Sequence, residues 1–107
     1  MIAERPHFTN ADIDRLLTAT TGSRYEIRDR CLLLLMFRHG LRVSEAVGLT
    51  VADVDMASRS IRVNRLQGGI ATTHPLRREE IRLLKAWLAE RARMKPRGTT
   101  LFVSERR

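Results

Sequence analysis

The chain has 107 residues, which allows one domain with a modest hydrophobic core and excludes two independent cores. Its 20 lysines and arginines outnumber 12 acids to give a formal net charge of +8. Nearly all of these bases are arginines, a balance that suits nucleic-acid recognition but also follows from GC-rich coding DNA.

Two helices are predicted before residue 40. Thr9 and Asp12 have the spacing of a capping box, and apolar residues at helical spacing follow them to about Thr20. After a break at residues 21–23, a second helix runs from about Arg24 to His39 and is apolar nearly all round its later turns. Such a helix is expected at the centre of the domain.

A glycine and an arginine form the next joint. Gly40 is expected to end the second helix in the left-handed conformation, and a short helix follows from about Val43 to Val47. Arg42 lies between them, where a guanidinium can bind a phosphate bidentately beside the free N–H groups of a helix start. The alternative is an arginine that caps carbonyl groups or pairs with an acid such as Glu45.

A β-hairpin is predicted in the second half of the chain. Residues from Ser60 to about Leu66 alternate, with Ile61 and Val63 on one face, which indicates a half-buried strand. Gln67-Gly68-Gly69 indicates a turn, and the returning strand ends in Thr72-Thr73-His74-Pro75-Leu76.

The last predicted helix runs from Arg77 to Arg93, with Ile81, Leu84 and Leu88 on its apolar face. Leu101-Phe102-Val103 then indicates a short buried strand or a docking segment. The sequence therefore predicts a mainly α chain with a small antiparallel β-hairpin or sheet, an α+β class, without an internal domain boundary.

The order of these motifs resembles the first half of the catalytic domain of tyrosine recombinases, the phage integrase family, and most closely the recombinases that invert fimbrial promoter switches. The residues around Arg42, Asp53-Val54-Asp55, the hairpin and the following helix occur in the family's order. The most specific part is Arg65-Leu66 followed by Thr72-Thr73-His74-Pro75-Leu76. The resemblance implies that residues 1–107 form a single partial catalytic domain, the N-terminal half of a recombinase catalytic domain.

This family cuts DNA by attack of a tyrosine on a backbone phosphate, which forms a 3′-phosphotyrosyl link without a metal or another cofactor. By the resemblance, Arg42 matches the first catalytic arginine and Glu45 matches the acid that orients the site. Gln67 stands where the family has its hairpin lysine. A glutamine brings neither a positive charge nor a transferable proton.

The family's other catalytic residues have no match in this sequence: beyond the last predicted helix there is no His-x-x-Arg box and no tyrosine. Tyr25, the only tyrosine, begins the second helix and is expected to pack there. We therefore expect this chain alone to cleave no DNA, which leaves open whether it is an enzyme. It is expected to be either the front part of a longer recombinase or a shortened gene product.

Double-stranded DNA is the expected partner, with self-association on DNA in the complete protein. The residues expected to contact DNA are Arg42, Arg65, Gln67, His74, Arg77 and Arg78. For the last two, the alternative is a solvated helix face. The alternative functions are a non-catalytic DNA-binding regulator, such as a helix-turn-helix protein, and a dimerisation remnant.

A metal site is not expected, because the three histidines, His7, His39 and His74, lack the spacing of metal ligands. The single cysteine, Cys31, excludes an intrachain disulfide, and no apolar run approaches the roughly 20 residues that span a bilayer. These features predict a cytoplasmic protein.

Overall fold

The computed structural model describes residues 9–64 and 69–104. Within these ranges the helices and strands follow the predicted order, with one additional short strand. The elements are α1 (Asn10–Ala19), α2 (Glu26–His39), α3 (Val43–Val47), a 3-10 turn (Val51–Asp53), β1 (Val54–Asp55), β2 (Ser60–Val63), β3 (Thr72–Pro75) and α4 (Arg78–Met94). The predicted α+β class is confirmed.

The N-terminal helices form where the sequence predicts them. The hydroxyl of Thr9 accepts the N–H of Asp12, and the Asp12 carboxylate accepts the N–H of Thr9, both at 3.1 Å, which completes the capping box of α1. α2 begins at Glu26, two residues later than predicted. Cys31 and Leu35 on α2 are each 1% exposed, so this helix lies against the core as expected.

The joint between α2 and α3 has the predicted backbone. Gly40 ends α2 with φ 63° and ψ 38°, a left-handed conformation in which a side chain is unfavourable. The following N–H, that of Leu41, donates to the carbonyl of Met36 at 3.0 Å. α3 then runs over the predicted five residues.

The sheet has the order β1-β2-β3 with antiparallel pairing throughout. Ile61 and Val63 on β2 are fully buried, while Arg62 and Asn64 are exposed, so the predicted alternation is confirmed. β2 ends at Val63, so Asn64 lies outside the strand; residues 65–66 of the predicted strand and residues 67–68 of the predicted turn lie outside the described residues. β1 was not predicted, because a strand of two residues is too short to show alternation.

α4 packs against α2 and holds the C-terminal segment. The indole N–H of Trp87, a residue with no exposed surface, donates to the carbonyl of Leu101 at 2.8 Å, and the Trp87 ring stacks on Phe102. The N–H of Leu101 donates to the carbonyl of Leu49 at 2.8 Å, and Thr100 forms a single bridge with Thr50. Residues 101–103 therefore form a docking segment rather than a strand, one of the two predicted alternatives.

No helix within residues 9–64 and 69–104 is both long enough and apolar enough to cross a membrane.

Candidate nucleic-acid interface

Two seven-residue segments, 39–45 and 74–80, share the pattern His-x-Leu-Arg-x-x-Glu. The leucine of each segment is buried in the core. The arginine of each is exposed and forms the N-cap of the next helix, Arg42 for α3 and Arg77 for α4. The same sequence pattern thus builds the same local structure twice, at two helix starts.

The glutamate of each segment fixes its arginine through the backbone. Glu45 accepts the N–H of Arg42 at 2.9 Å, and Glu80 accepts the N–H of Arg77 at 2.7 Å. Both contacts satisfy an N–H group that a helix start leaves without an intrahelical partner. In the described part of the chain, no salt bridge involves the guanidinium of Arg42 or Arg77. The contact between Glu45 and Arg42 is therefore a backbone cap and not the ion pair considered from the sequence.

The two segments meet through their histidines. Nδ1 of His39 lies 3.0 Å from Nδ1 of His74, and Nε2 of His39 lies 2.6 Å from Oε2 of Glu80. Nε2 of His74 in turn lies 2.9 Å from the hydroxyl of Thr72. The side chains of His39 and Glu80 are only 6% and 1% exposed, so their contact is shielded from water. We call this chain of contacts, formed by Glu80, His39, His74 and Thr72, the histidine relay.

The Glu80 carboxylate at the inner end of the relay is held in its ionised form. Burial raises the pKa of Glu80, but hydrogen bonds from His39 and from the Arg77 N–H lower it more. The positive charge of Arg38 lowers it as well, as does that of His39 when the ring is protonated, so the pKa lies below its ordinary value. An ionised carboxylate requires a hydrogen on Nε2 of His39.

The relay brings the ends of three elements together. His39 is the last residue of α2, His74 lies on β3, and Glu80 is in the first turn of α4. Arg42 and Arg77 each follow their histidine by three residues, so each arginine Cα lies within about 11 Å of the Cα of its histidine. Of the six residues predicted to contact DNA, His74 is therefore part of the relay, and Arg42 and Arg77 each follow one relay histidine at this chain distance.

The remaining predicted residues have different positions. Arg78 is exposed as the first residue of α4, beside Arg77. Arg65 and Gln67 lie outside the described residues. Arg38, which also suits phosphate binding by type, instead forms a 3.0 Å ion pair with Glu79. This pair borders a groove of about 480 Å³ between α1 and α2, to which Arg77 also contributes.

His39 and Glu80 are the site residues that the sequence interpretation missed. His39 was considered only as a possible metal ligand, and Glu80 only as an acid at a helix start. The repeated pattern His-x-Leu-Arg-x-x-Glu could have indicated both, because one copy surrounds the motif already singled out at Arg42. Among the described residues, no group of three or more His, Cys, Asp or Glu side chains could hold a metal ion.

Comparison with known proteins shows relatives over almost the whole chain. The type 1 fimbriae regulatory protein FimE of Escherichia coli (strain K12) is 35% identical over 107 residues, covering 98% of this chain and 54% of that protein. The tyrosine recombinase XerC of Actinobacillus pleuropneumoniae serotype 7 (strain AP76) is 33% identical over 94 residues, covering 88% of this chain and 30% of that protein. The chain thus spans about half the length of FimE and less of XerC.

The fold is also similar to that of a solved recombinase. The crystal structure of XerA recombinase superposes with a TM-score of 0.74 and 25% sequence identity, covering all of this chain and 38% of that chain. The sequence profile of the phage integrase family matches residues 6–107. The chain therefore belongs to the phage integrase family, as its motifs around Arg42 and His74 predict.

Proposed function

We propose that the chain is the DNA-binding portion of a tyrosine site-specific recombinase. The complete protein would cleave and rejoin DNA strands through a 3′-phosphotyrosyl intermediate. Membership of the phage integrase family and the similarity to the tyrosine recombinase XerC support this reaction class. The observation that carries the DNA-binding part is the exposure of Arg42 and Arg77, each of which follows a histidine of the histidine relay by three residues.

Each proposed site residue has a distinct role. Arg42 binds the backbone phosphate at which the complete protein reacts, and Glu45 holds the Arg42 backbone in place. Gln67 donates a hydrogen bond from the position of the family's lysine, without its charge. The residues that contact neighbouring phosphates or grooves are Arg65, His74, Arg77 and Arg78.

We also propose that these 107 residues alone do not cleave DNA. Their only tyrosine, Tyr25, is the N-cap of α2, and the guanidinium of Arg28 lies 4.1 Å from its ring centre. A phenol stacked in this way at a helix start serves packing. Incubation with supercoiled plasmid should leave the DNA intact, and a covalent protein–DNA adduct would contradict this part of the proposal.

The binding experiment measures fluorescence anisotropy of a labelled 20-base-pair duplex between 50 and 200 mM salt. Contacts to four phosphates predict a slope of about −3 to −4 in log K against log salt. Arg42→Gln should weaken binding about tenfold at low salt and make that slope shallower by about one. Affinity that barely changes with salt would overturn the phosphate-contact proposal.

Arg93→Gln is the matched control, since it removes the same charge from an exposed position. Arg93 lies near the end of α4, 15 residues after Arg78, which corresponds to about 22 Å along the helix axis. Its effect on affinity should stay below about twofold. Equal losses for Arg42→Gln and Arg93→Gln would mean that binding follows net charge and not this site.

Self-association is the second candidate function, and one observation favours it. Val43 and Val47, one turn apart on α3, are 64% and 49% exposed, an uncommon placement for two aliphatic side chains on one helix face. Sedimentation of the DNA-free chain from 5 to 200 µM tests this candidate. Dimerisation that Val43→Ser abolishes, in a chain without DNA affinity, would favour the interaction function over DNA binding.

A further inference from the structure

The geometry of the histidine relay limits the number of protons that it can hold. Nδ1 of His39 lies 3.0 Å from Nδ1 of His74, so one of these two atoms must carry a hydrogen and the other must accept it. With a hydrogen on Nε2 of His39 for the ionised Glu80, a neutral His39 accepts at Nδ1. His74 then donates from Nδ1, and its Nε2 accepts the hydroxyl hydrogen of Thr72.

One added proton reverses the role of the outer nitrogen. The proton either sits on Nε2 of His74, or His39 carries both of its hydrogens and His74 shifts its own hydrogen to Nε2. In both arrangements Nε2 of His74 becomes a donor, and a single hydrogen remains between the two Nδ1 atoms. A second added proton would place hydrogens on both Nδ1 atoms at 3.0 Å, which excludes two imidazolium rings in this geometry.

The groups around the pair include one buried negative charge. Glu80 supplies a buried negative charge against Nε2 of His39, so one positive charge on the pair is compensated and a second is not. His74 pairs with Ile61 on β2, which adds no charge from that strand. Among the residues that the structure describes, the titratable or charged groups near the relay include Arg38, Cys31 and Glu79 on α2 and α4, and Arg42, Glu45 and Arg77 on the two segments.

A phosphate oxygen accepts hydrogen bonds and does not donate them when ionised. In the neutral relay the exposed Thr72 hydroxyl gives its hydrogen to Nε2 of His74. In the protonated relay Nε2 donates to the Thr72 oxygen instead, so the Thr72 hydroxyl hydrogen is released for a phosphate oxygen. The same proton adds a positive charge to the histidine pair, and the exposed Arg42 and Arg77 each follow one histidine of that pair by three residues.

We propose that the two His-x-Leu-Arg-x-x-Glu segments form one proton-linked phosphate site, in which the His39–His74 pair takes up a single proton when DNA phosphates bind. Arg42 and Arg77 are its two equivalent cationic arms, and His39 is a positioning residue that acts through His74. This inference rests on the proposed DNA-binding function, because the linked ligand is the DNA backbone.

The first test is nitrogen-15 NMR of the imidazole rings in the DNA-free chain from pH 8 to pH 5. A His7→Gln variant removes the third histidine, so that the remaining signals belong to the pair. The proposal expects uptake of one proton by the pair while the buried Trp87 emission shows that the chain stays folded. Two imidazolium rings in the folded chain at pH 5 would overturn it.

The second test is calorimetry of DNA binding at pH 6.5 to 7.5 in buffers of different ionisation enthalpy. Net uptake approaching one proton per binding event is expected as the pH rises, and His74→Gln and His39→Gln should both abolish it. Arg77→Gln should weaken affinity about as much as Arg42→Gln, about tenfold, while retaining the proton uptake.

The two tests separate this inference from the function on which it rests. Salt-dependent DNA binding without proton uptake would overturn the inference and leave the proposed function standing. If no DNA binding is found, the proposed function and the phosphate linkage both fail, and the NMR titration still decides whether the pair holds one proton. Loss of uptake in His74→Gln but not in His39→Gln would refute the positioning role of His39.

Discussion

Nε2 of His39 lies 2.6 Å from Oε2 of Glu80, and this contact joins the end of α2 to the start of α4 in the interior of the protein. An ionised group in such a place is stabilised only while its partners remain. The same contact orders the C-terminal end of α2 from which the Arg42 joint departs. Stability and the geometry of the proposed phosphate site therefore depend on the same pair of side chains.

Glu80→Ala should destabilise the protein by about 3 kcal/mol, because it leaves buried His39 and the Arg77 N–H without their acceptor. Urea unfolding followed by the fluorescence of Trp87, the only tryptophan, measures the change. Glu79→Ala is the matched control, since Glu79 is half exposed and its ion pair with Arg38 is expected to contribute less than about 1 kcal/mol. Similar costs for the two variants would refute a special role for the buried carboxylate.

The stability of the protein should fall in acid, in a way that depends on Glu80. Because the pKa of Glu80 is lower in the folded protein than its ordinary value of 4.5, the folded state binds its proton less readily than the unfolded state. Its stabilising contribution is complete above about pH 4.5 and is lost as the pH falls through the folded pKa. Urea midpoints from pH 7 to pH 3 should show this loss.

Glu80→Gln supplies the comparison for that titration. Asp12 and Asp55 also have lowered pKa values, through hydrogen bonds with Thr9 and Ser58, and they contribute with the same sign. The variant retains both aspartates, so the difference between the two pH profiles isolates Glu80. Parallel profiles would mean that the Glu80 carboxylate does not titrate differently in the folded and unfolded states.

Cys31 should be inert toward thiol reagents in the folded protein. Burial raises the pKa of its thiol to about 12, and the negative charge of Glu80 adds to the rise. At pH 8 the thiolate fraction is then on the order of one in ten thousand, and the thiolate is the reactive form. Labelling with a disulfide reagent should be slower by a factor of about 1000 or more than in 6 M guanidinium chloride. Rapid labelling under native conditions would show that α2 opens locally.

Features set by neighbouring residues in the chain could be predicted from the sequence. The capping box at Thr9, the left-handed Gly40 and the alternation of Ile61 and Val63 each depend on a few consecutive side chains, and all three are confirmed. The first strand pair was missed because β1 has only two residues. Local pattern therefore accounts for most of the fold, with errors at element ends of one or two residues.

The relay could not be predicted in the same way, because two of its three contacts join residues that are 35 and 41 positions apart. Nothing in the local sequence of His39 shows that β3 will place His74 against it. The repeated pattern shows that two similar helix starts exist, but only the folded chain, in which α2 packs against α4, brings their histidines into contact. The side chains proposed for DNA contact were chosen by type and motif, and those roles stay predictions.

Trp87→Phe tests how firmly the C-terminal segment is held. The substitution removes the indole donor and leaves the buried carbonyl of Leu101 without it, so stability should fall by about 1 to 3 kcal/mol. Leu101→Ala removes buried side-chain volume while keeping the backbone carbonyl and the indole, and it should cost about 2 to 4 kcal/mol. Hydrogen exchange distinguishes the two changes.

The amide of Leu101 donates to the carbonyl of Leu49. In Trp87→Phe, hydrogen exchange at this amide should accelerate by a larger factor than exchange at the amides in the middle of α2. A uniform acceleration across both regions would mean that the segment unfolds only together with the core. Selective acceleration would show that residues 100–104 form a unit that can leave the body of the protein.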